Sequence, residues 1–574
     1  MKTFICCILI TTCMLSFAAP HVSVTYPHVD QRISARDKTY IMGQIEPVGA
    51  KLFINNFPVV VHPTGSFLAV LPVVKGAFSF RCKVVFNNKI LTEYDHKVTI
   101  VHWAPSKPIT TDSIDLGSLL PAQNIGVLPG ENIFFRCKTK TGKKVLCTIT
   151  DAEQTVSFQL FEKKTNGVYE SKKSFSTSFN QARISYKVLD SVKIPVAQSK
   201  AHLTVRNTEE YSSYIVTADT MEVKARDAAS YNGDYSSFLT SGAVLQGSGF
   251  NGEWIRLQQT SDTAVYVKSA QLSKVVTTNL MDSAHISDII ITEKSTSIVA
   301  YIRGLKTVNS SWLPTPNSKK IGIRFFKTTV NPQGETLYTR NSRVSEVVKT
   351  PGIDYSDIVF KLDFEPLWGF DISYENGYGI LTIKKPLTER LSGDITICLD
   401  AGHGGDEPGA IGPSGLQEKT AVLDMTLSLE KALINAGYKV ILTRDSDQKI
   451  PIYDRPAFAK RNKADIFLSI HYNACPDGTD PFKRRGLESY YYYNSGKLLA
   501  QQIHTQLRHA VPIKDNGVEY KSLVVCRNFS MPSCLLELDY ISIPDAEVMI
   551  MTSAYQKKMA AAIVVGVNNY LRKN

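Results

Sequence analysis

Four side chains in the last third of this 574-residue chain are suited to hydrolytic chemistry: His403, Glu418, His471 and Glu537. His403 stands among Gly402, Gly404 and Gly405, directly after the apolar run Ile395–Leu399. Glycines at that density let backbone approach a site closely. His471 likewise ends an apolar run, Ala464–Ile470, and Asn473 follows it. Glu537 is a carboxylate inside an otherwise apolar run, CLLELDY, from Cys534 to Tyr540. Zinc in hydrolases commonly takes three protein ligands, such as His, His and Glu, and keeps a fourth position for water. A nearby unligated carboxylate then serves as general base. The same four residues also fit an ordinary α/β domain with unrelated polar positions, because ligands this far apart leave no local signature.

Elements with the right periods surround these residues. ITICL, KVILT, DIFLSI, LESYYYY, LVVC and CLLEL read as strands. Between them, 419–436 reads as a helix with Val422, Met425, Leu429 and Leu433 on one stripe and Gly437 as its cap. Further helices are expected around 455–462, 496–510 and 545–571. Alternation of this kind predicts a mainly parallel sheet covered by helices. Ligands in such sheets bind beyond the carboxyl ends of the strands, where both histidines fall.

At these residues the chain resembles a known family. LDAGHGGDEPGAIGPSGLQEK, LTRDSD (Leu442–Asp447), ADIFLSIHYNA (Ala464–Ala474) and MPSCLLELDY (Met531–Tyr540) occur in order. Together they resemble the zinc-dependent N-acetylmuramoyl-L-alanine amidases of type 3, which hydrolyse bacterial cell wall. The resemblance spans 394–574 and implies an α/β zinc hydrolase domain. It places His403, Glu418 and His471 on the zinc ligands and Glu537 on the catalytic glutamate. It further implies peptidoglycan as substrate, cut at the amide between N-acetylmuramic acid and L-alanine of the stem peptide. The chain departs from the family pattern at several positions. Glu407 stands where aspartate is usual, Asp539-Tyr540 where Gly-Phe is usual, and Lys460 and Ile543 each replace a common asparagine. These put substrate contacts in question and leave the reaction intact. Asn473 is a candidate oxyanion donor, whereas Arg444, Arg455 and Asp465 read as structural partners.

A chain of this length holds several domains, and everything before the enzyme reads as β. Residues 1–18 have the lysine, short apolar core and small residues of a secretory signal peptide, too short to span a bilayer. Residues 19–102 alternate in short runs and resemble bacterial immunoglobulin-like β-sandwiches; 103–120 reads as a linker. A β domain of unassigned role is expected over 121–215, an SH3-like barrel over 216–276 and a targeting-type β domain over 284–386. Trp254 and Tyr266 of the barrel suit either ligand binding or the core. The fold class is therefore multidomain, with all-β accessory domains ahead of one C-terminal α/β hydrolase domain.

The formal charge of +12 is uneven: 395–574 carries 21 Lys+Arg against 19 Asp+Glu, so nearly all of the excess lies earlier. A basic half on an exported protein favours anionic wall polymers; nucleic acid is not expected beside a signal peptide and without a binding motif. Seven of the ten cysteines lie beyond residue 18, an odd number, so at least one thiol is unpaired or pairs between chains. Cys137 and Cys147 could close a hairpin-sized loop, and Cys398 and Cys475 lie near the proposed ligands. The expected protein is a periplasmic or wall-associated zinc amidase with no transmembrane segment. Alternatives are a zinc peptidase or deacetylase of the wall, or a wall-binding protein without catalysis. Only Cys475–Arg485 separates the His471 strand from LESYYYY, and only Asn494–Gly496 separates that strand from the next helix, three residues that cannot form a helix reaching across the site. A fragment from Gly393 to Asn574 is therefore expected to act on soluble substrate alone.

Overall fold

The structure, a computed structural model, describes residues 19–573 apart from 102–111, 164–166, 190–193, 218–222, 227–234, 240–243, 261–262, 276–283, 306–309, 314–318, 340–341, 366 and 387–390. The expected signal segment, 1–18, lies outside the described residues. The chain divides into two compact units: Met1–Trp103 together with Arg390–Lys573, and Ala104–Glu389.

The first unit holds two domains. Its N-terminal part is a pair of sheets around one core. Three strands, His21–Tyr26, Lys38–Glu46 and Ser66–Pro72, face five others that include Gly76–Phe86 and Lys89–Val101. Ile41, Ile45, Phe67 and Leu71 from one sheet meet Leu52, Phe80, Val84 and Ile100 from the other. Alternation along Phe80, Cys82 and Val84 directs these residues inward, as the period of a strand requires.

The C-terminal part, 391–573, is an α/β domain of six strands and six helices. In order these are β1 (Thr396–Ala401), α1 (Glu418–Asn435), β2 (Lys439–Leu442), α2 (Asp454–Arg461), β3 (Ile466–Asn473), α3 (Pro481–Arg484), β4 (Leu487–Tyr491), α4 (Asn494–Ala510), β5 (Asp515–Tyr520), β6 (Ser533–Tyr540), α5 (Pro544–Ile550) and α6 (Ser553–Lys573). The sheet runs β2-β1-β3-β6-β4-β5. β1, β2, β3 and β6 are parallel; β4 runs antiparallel to β6 and parallel to β5. The sheet is thus mixed, and the reason lies between β3 and β4. A parallel return needs a crossover of a dozen or more residues, usually helical. Residues 474–486 are thirteen long but hold only the four-residue α3, too short to cover a sheet face as a crossover helix, so the chain turns over at the top and β4 comes back down. One expected strand is absent. LVVC is a short 3-10 turn at Val524–Cys526, and Asp515–Tyr520 takes the edge position instead.

The second unit is β throughout its described residues. Ile133, Phe135, Ile149, Phe179, Tyr186 and Leu203 belong to one core, and Val216, Leu245, Leu257 and Val267 to a smaller one. Asp115–Leu120, expected as part of a linker, instead pairs with Ile133–Lys138 and buries Leu119. Further along, a five-stranded sheet includes Ile289–Glu293, Ser297–Arg303 and Tyr378–Lys384. Trp254 is buried, with the Lys268 ammonium 5.7 Å from its ring centre. The seven cysteines of the described residues are buried and unbridged, Cys137 and Cys147 included. No described helix is long and apolar enough to cross a membrane.

Candidate metal centre

Strand ends and a helix start bring His403, Glu418 and His471 together, and each could offer one donor atom within 4.8 Å of the others. Glu418 is the first residue of α1 and is buried. Its Oε1 lies 2.9 Å from His471 Nδ1 and accepts from the Tyr472 amide at 3.1 Å. Its Oε2 lies 3.1 Å from His403 Nε2 and accepts from the Ala410 amide at 2.8 Å. Burial raises the Glu418 carboxyl, but hydrogen bonds and charge from His403 and His471 outweigh it and hold the group well below the usual range. The two imidazoles meet edge to face, centroids 5.0 Å apart.

Close packing here leaves no room for larger residues. A Cβ on Gly402 would lie 2.2 Å from His471 Cε1. Gly409, at φ +70°, would put one 2.6 Å from Glu418 Oε2. His403 itself takes φ 59°, the left-handed region that non-glycine residues seldom occupy. What holds it there is a buried arginine. Arg455 donates to the His403 carbonyl at 2.7 Å, to Ala401 O at 2.8 Å, to Ile450 O at 3.1 Å and to Asp400 at 2.8 Å. Asp400, wholly buried in β1, also accepts from Thr443 and Ser469. Arg444 binds Ala401 O and Gly402 O, and Asp465 accepts from the Thr396 amide, so all three residues read as structural partners are paired as such. Past His403, Asp447 accepts from the Gly405 amide and pairs with Lys419.

Glu537 lies on β6, in register with His471 on one side and Glu488 on the other. Its Oε2 is shut from solvent and has no hydrogen-bond partner. Burial first, then the charges of Glu418 and Glu488, push its carboxyl well above the usual range against the pull of Lys521. A raised carboxyl is the state that general acid–base work asks of a side chain.

Sequence reasoning missed Glu488, although it interrupts the apolar run LESYYYY as Glu537 interrupts CLLEL. Glu488 is buried and accepts from Tyr490, from Tyr540 (2.7 Å), from Asn516 (2.9 Å) and from Asn473 (3.0 Å). Asn473 Nδ2 also reaches the Tyr540 hydroxyl at 3.2 Å, so the amide expected as an oxyanion donor is engaged in this network instead. Asp539, where the family usually has glycine, forms a two-pronged pair with Arg485 (2.9 and 2.7 Å). Glu407 pairs with Lys449, and Lys460 lies over the Phe529 ring. Cys398 sits in the core and Cys475 among apolar residues; neither joins the donor group.

A strand-end group of two imidazoles and a carboxylate, beside an unpaired acid, on a helix-covered α/β sheet defines a hydrolase domain. Residues 397–569 match the family described as N-acetylmuramoyl-L-alanine amidase. The chain is 30% identical over 234 residues to the N-acetylmuramoyl-L-alanine amidase AmiA of Escherichia coli (strain K12), covering 33% of this chain and 80% of that one. It is 34% identical over 178 residues to the uncharacterized protein YqiI of Bacillus subtilis (strain 168), covering 30% and 84% respectively. A solved structure, the N-acetylmuramoyl-L-alanine amidase AmiC2 of Nostoc punctiforme, is 34% identical over 32% of this chain and 99% of its own, with a TM-score of 0.30. The chain belongs to the N-acetylmuramoyl-L-alanine amidase family, and it is an amidase of peptidoglycan.

Proposed function

We propose that this amidase is zinc-dependent and exported, and that it cuts the amide between the lactyl group of N-acetylmuramic acid and L-alanine. The observation that carries this reading is the His403–Glu418–His471 donor group beside the unpartnered Oε2 of Glu537. Two imidazoles and one carboxylate are a donor set that suits zinc with a position left over. Zinc held there would supply Lewis acidity and lower the pKa of water. Glu537 takes the proton of the attacking water and hands it to the nitrogen of the leaving alanine. The products are a free lactyl carboxylate on the sugar and a stem peptide with a free amino terminus. Tyr472 and Ala410, donating to Glu418 through their amides, keep its two oxygens directed at the two histidines.

The accessory region reads as an immunoglobulin-like domain over 19–102, a domain of unassigned role over 121–215, an SH3-like one over 216–276 and a targeting-type one over 284–386, and its basic balance suits anionic wall polymers. The signal-like first 18 residues support export to the periplasm or wall. Purified protein incubated with cell wall should release stem peptides that begin with L-alanine, read by mass spectrometry. Release of acetate would instead show a deacetylase, and peptides cut internally a peptidase.

A further inference from the structure

The N-terminal β domain is packed against the catalytic domain within one compact unit, although 286 residues, Ala104–Glu389, intervene in sequence. Tyr40, buried on the strand Lys38–Glu46, donates its hydroxyl to Cys475 O at 2.7 Å across 435 residues of chain. Tyr26, stacked on Tyr40 with centroids 4.3 Å apart, donates to Asp477, whose other oxygen faces the Ser34 amide at 3.4 Å. Gly478 is so close that a Cβ there would lie 2.5 Å from Ser34 O. Beside these polar links, Tyr40, Met42 and Leu68 form an apolar cluster with Cys475, Tyr540, Ile543 and Ala546. At the edge, His62 Nε2 lies 3.4 Å from Asp545.

These grips fall on the continuations of two strands that carry the chemistry. Cys475 and Asp477 follow His471 by four and six residues, and Tyr540 and Ile543 follow Glu537 by three and six. Tyr540, seated in the apolar cluster, also donates to Glu488 and meets Asn473. One polar network therefore joins β3, β6 and β4 directly above the site, and the N-terminal domain packs on it. Tyr540 and Ile543 are also two of the positions at which the chain departs from the family pattern. A module that only tethers an enzyme to its substrate needs a linker, not a stacked aromatic pair, half-buried Tyr26 on buried Tyr40, with both hydroxyls satisfied.

We propose that the N-terminal β domain is a working part of the catalytic centre: Tyr40, Met42 and Leu68 are positioning residues that hold the Asn473–Glu488–Tyr540 network and the strand ends bearing His471 and Glu537. This rests on the roles assigned above to His471 and Glu537. It replaces the expectation that Gly393–Asn574 works alone. Misplacement of a reacting group by about 1 Å can cost on the order of 100-fold in rate.

The test uses the full chain and a soluble muramoyl-peptide, which needs no wall binding. Met42→Glu places a charge in the apolar contact, Met42→Leu keeps it apolar, and Tyr40→Phe removes one hydroxyl. Met42→Glu should lower kcat by roughly 10- to 100-fold with KM within about twofold, Tyr40→Phe by about threefold or more, and Met42→Leu should match the parent. Zinc content should stay at the parent value in all three, and amide exchange over 474–480 should quicken in the first two. Unchanged kcat in Tyr40→Phe and in a folded Met42→Glu overturns the proposal. If Met42→Glu does not fold, unchanged kcat in Tyr40→Phe with faster exchange over 474–480 overturns it alone. Failure of the parent enzyme to release L-alanyl peptides would instead defeat the underlying assignment, a result visible before any variant is made.

Discussion

Arg455→Met tests how the strand end at His403 is held. The guanidinium makes four hydrogen bonds, to Asp400, Ala401 O, His403 O and Ile450 O, and it is buried. Methionine fills much of the volume and makes none of them. The carboxylate of Asp400 is left wholly buried with only the Thr443 and Ser469 hydroxyls. Breaking a buried ion pair by removing one partner costs about 3–5 kcal/mol, chiefly the uncompensated charge. For a unit of this size each kcal/mol lowers the melting temperature by about 2–4 °C, so the expected fall is roughly 6–20 °C. Calorimetry of the full chain should find it in the transition that coincides with loss of activity. Adding Asp400→Asn removes the stranded charge, so the double variant should recover about 1 kcal/mol or more instead of losing further. A single variant melting within about 2 °C of the parent, or strictly additive losses in the double variant, would refute this account.

Other expectations follow from the same geometry. Glu537→Gln keeps size but removes the proton acceptor, so turnover should fall by roughly 100-fold or more while bound zinc is unchanged in elemental analysis. His471→Ala removes one of three donors, and metal and activity should be lost together. Burial raises the Glu488 carboxyl, and bonds from Tyr490, Tyr540 and Asn516 with the Arg484 charge overcome this and leave it below its usual value. A depressed carboxyl adds stability above its unfolded pKa of about 4.3, and that stability is lost as pH falls through the folded value. Glu488→Gln should therefore cost about 1–3 kcal/mol at pH 7, and urea titrations should show the difference from the parent shrinking below about pH 4. Residues 19–394 should sediment with insoluble wall at low salt and detach near 1 M, where screening shortens to roughly 3 Å.

The elements that carry the donor group were legible because strands and turns are local, whereas the set itself rested on the family resemblance. Apolar runs ending on His403 and His471, and a helix beginning at Glu418, are patterns of a few residues each. Glu537 stood out for the same reason, as a carboxylate where an apolar residue is expected. The direction of β4 was less legible, since LESYYYY has the same period whichever way it runs; what decides it is that 474–486 holds no full crossover helix. LVVC is apolar enough for a strand, yet Val525 and Cys526 are buried from a turn packed beside the sheet. The strand read as ITICL runs on to Ala401 and buries Asp400 against Arg455. Nothing local marks that pairing, 55 residues apart. The contact between Tyr40 and Cys475 is less legible still, because a separation of 435 residues imposes no period on either segment.

That separation also bears on how the protein is made. The N-terminal β domain emerges first, whereas the surface it covers is encoded beyond Glu389. The covering surface lies at Cys475–Ala546, so at about 5–20 residues per second the chain from Ala104 to Ala546 takes roughly 20–90 s to synthesise. For that interval Tyr26, Tyr40, Met42 and Leu68 present an apolar face with no partner yet in existence. The nascent chain therefore shows this face well before its enzyme domain exists, and a chaperone acting on this protein has that face to bind.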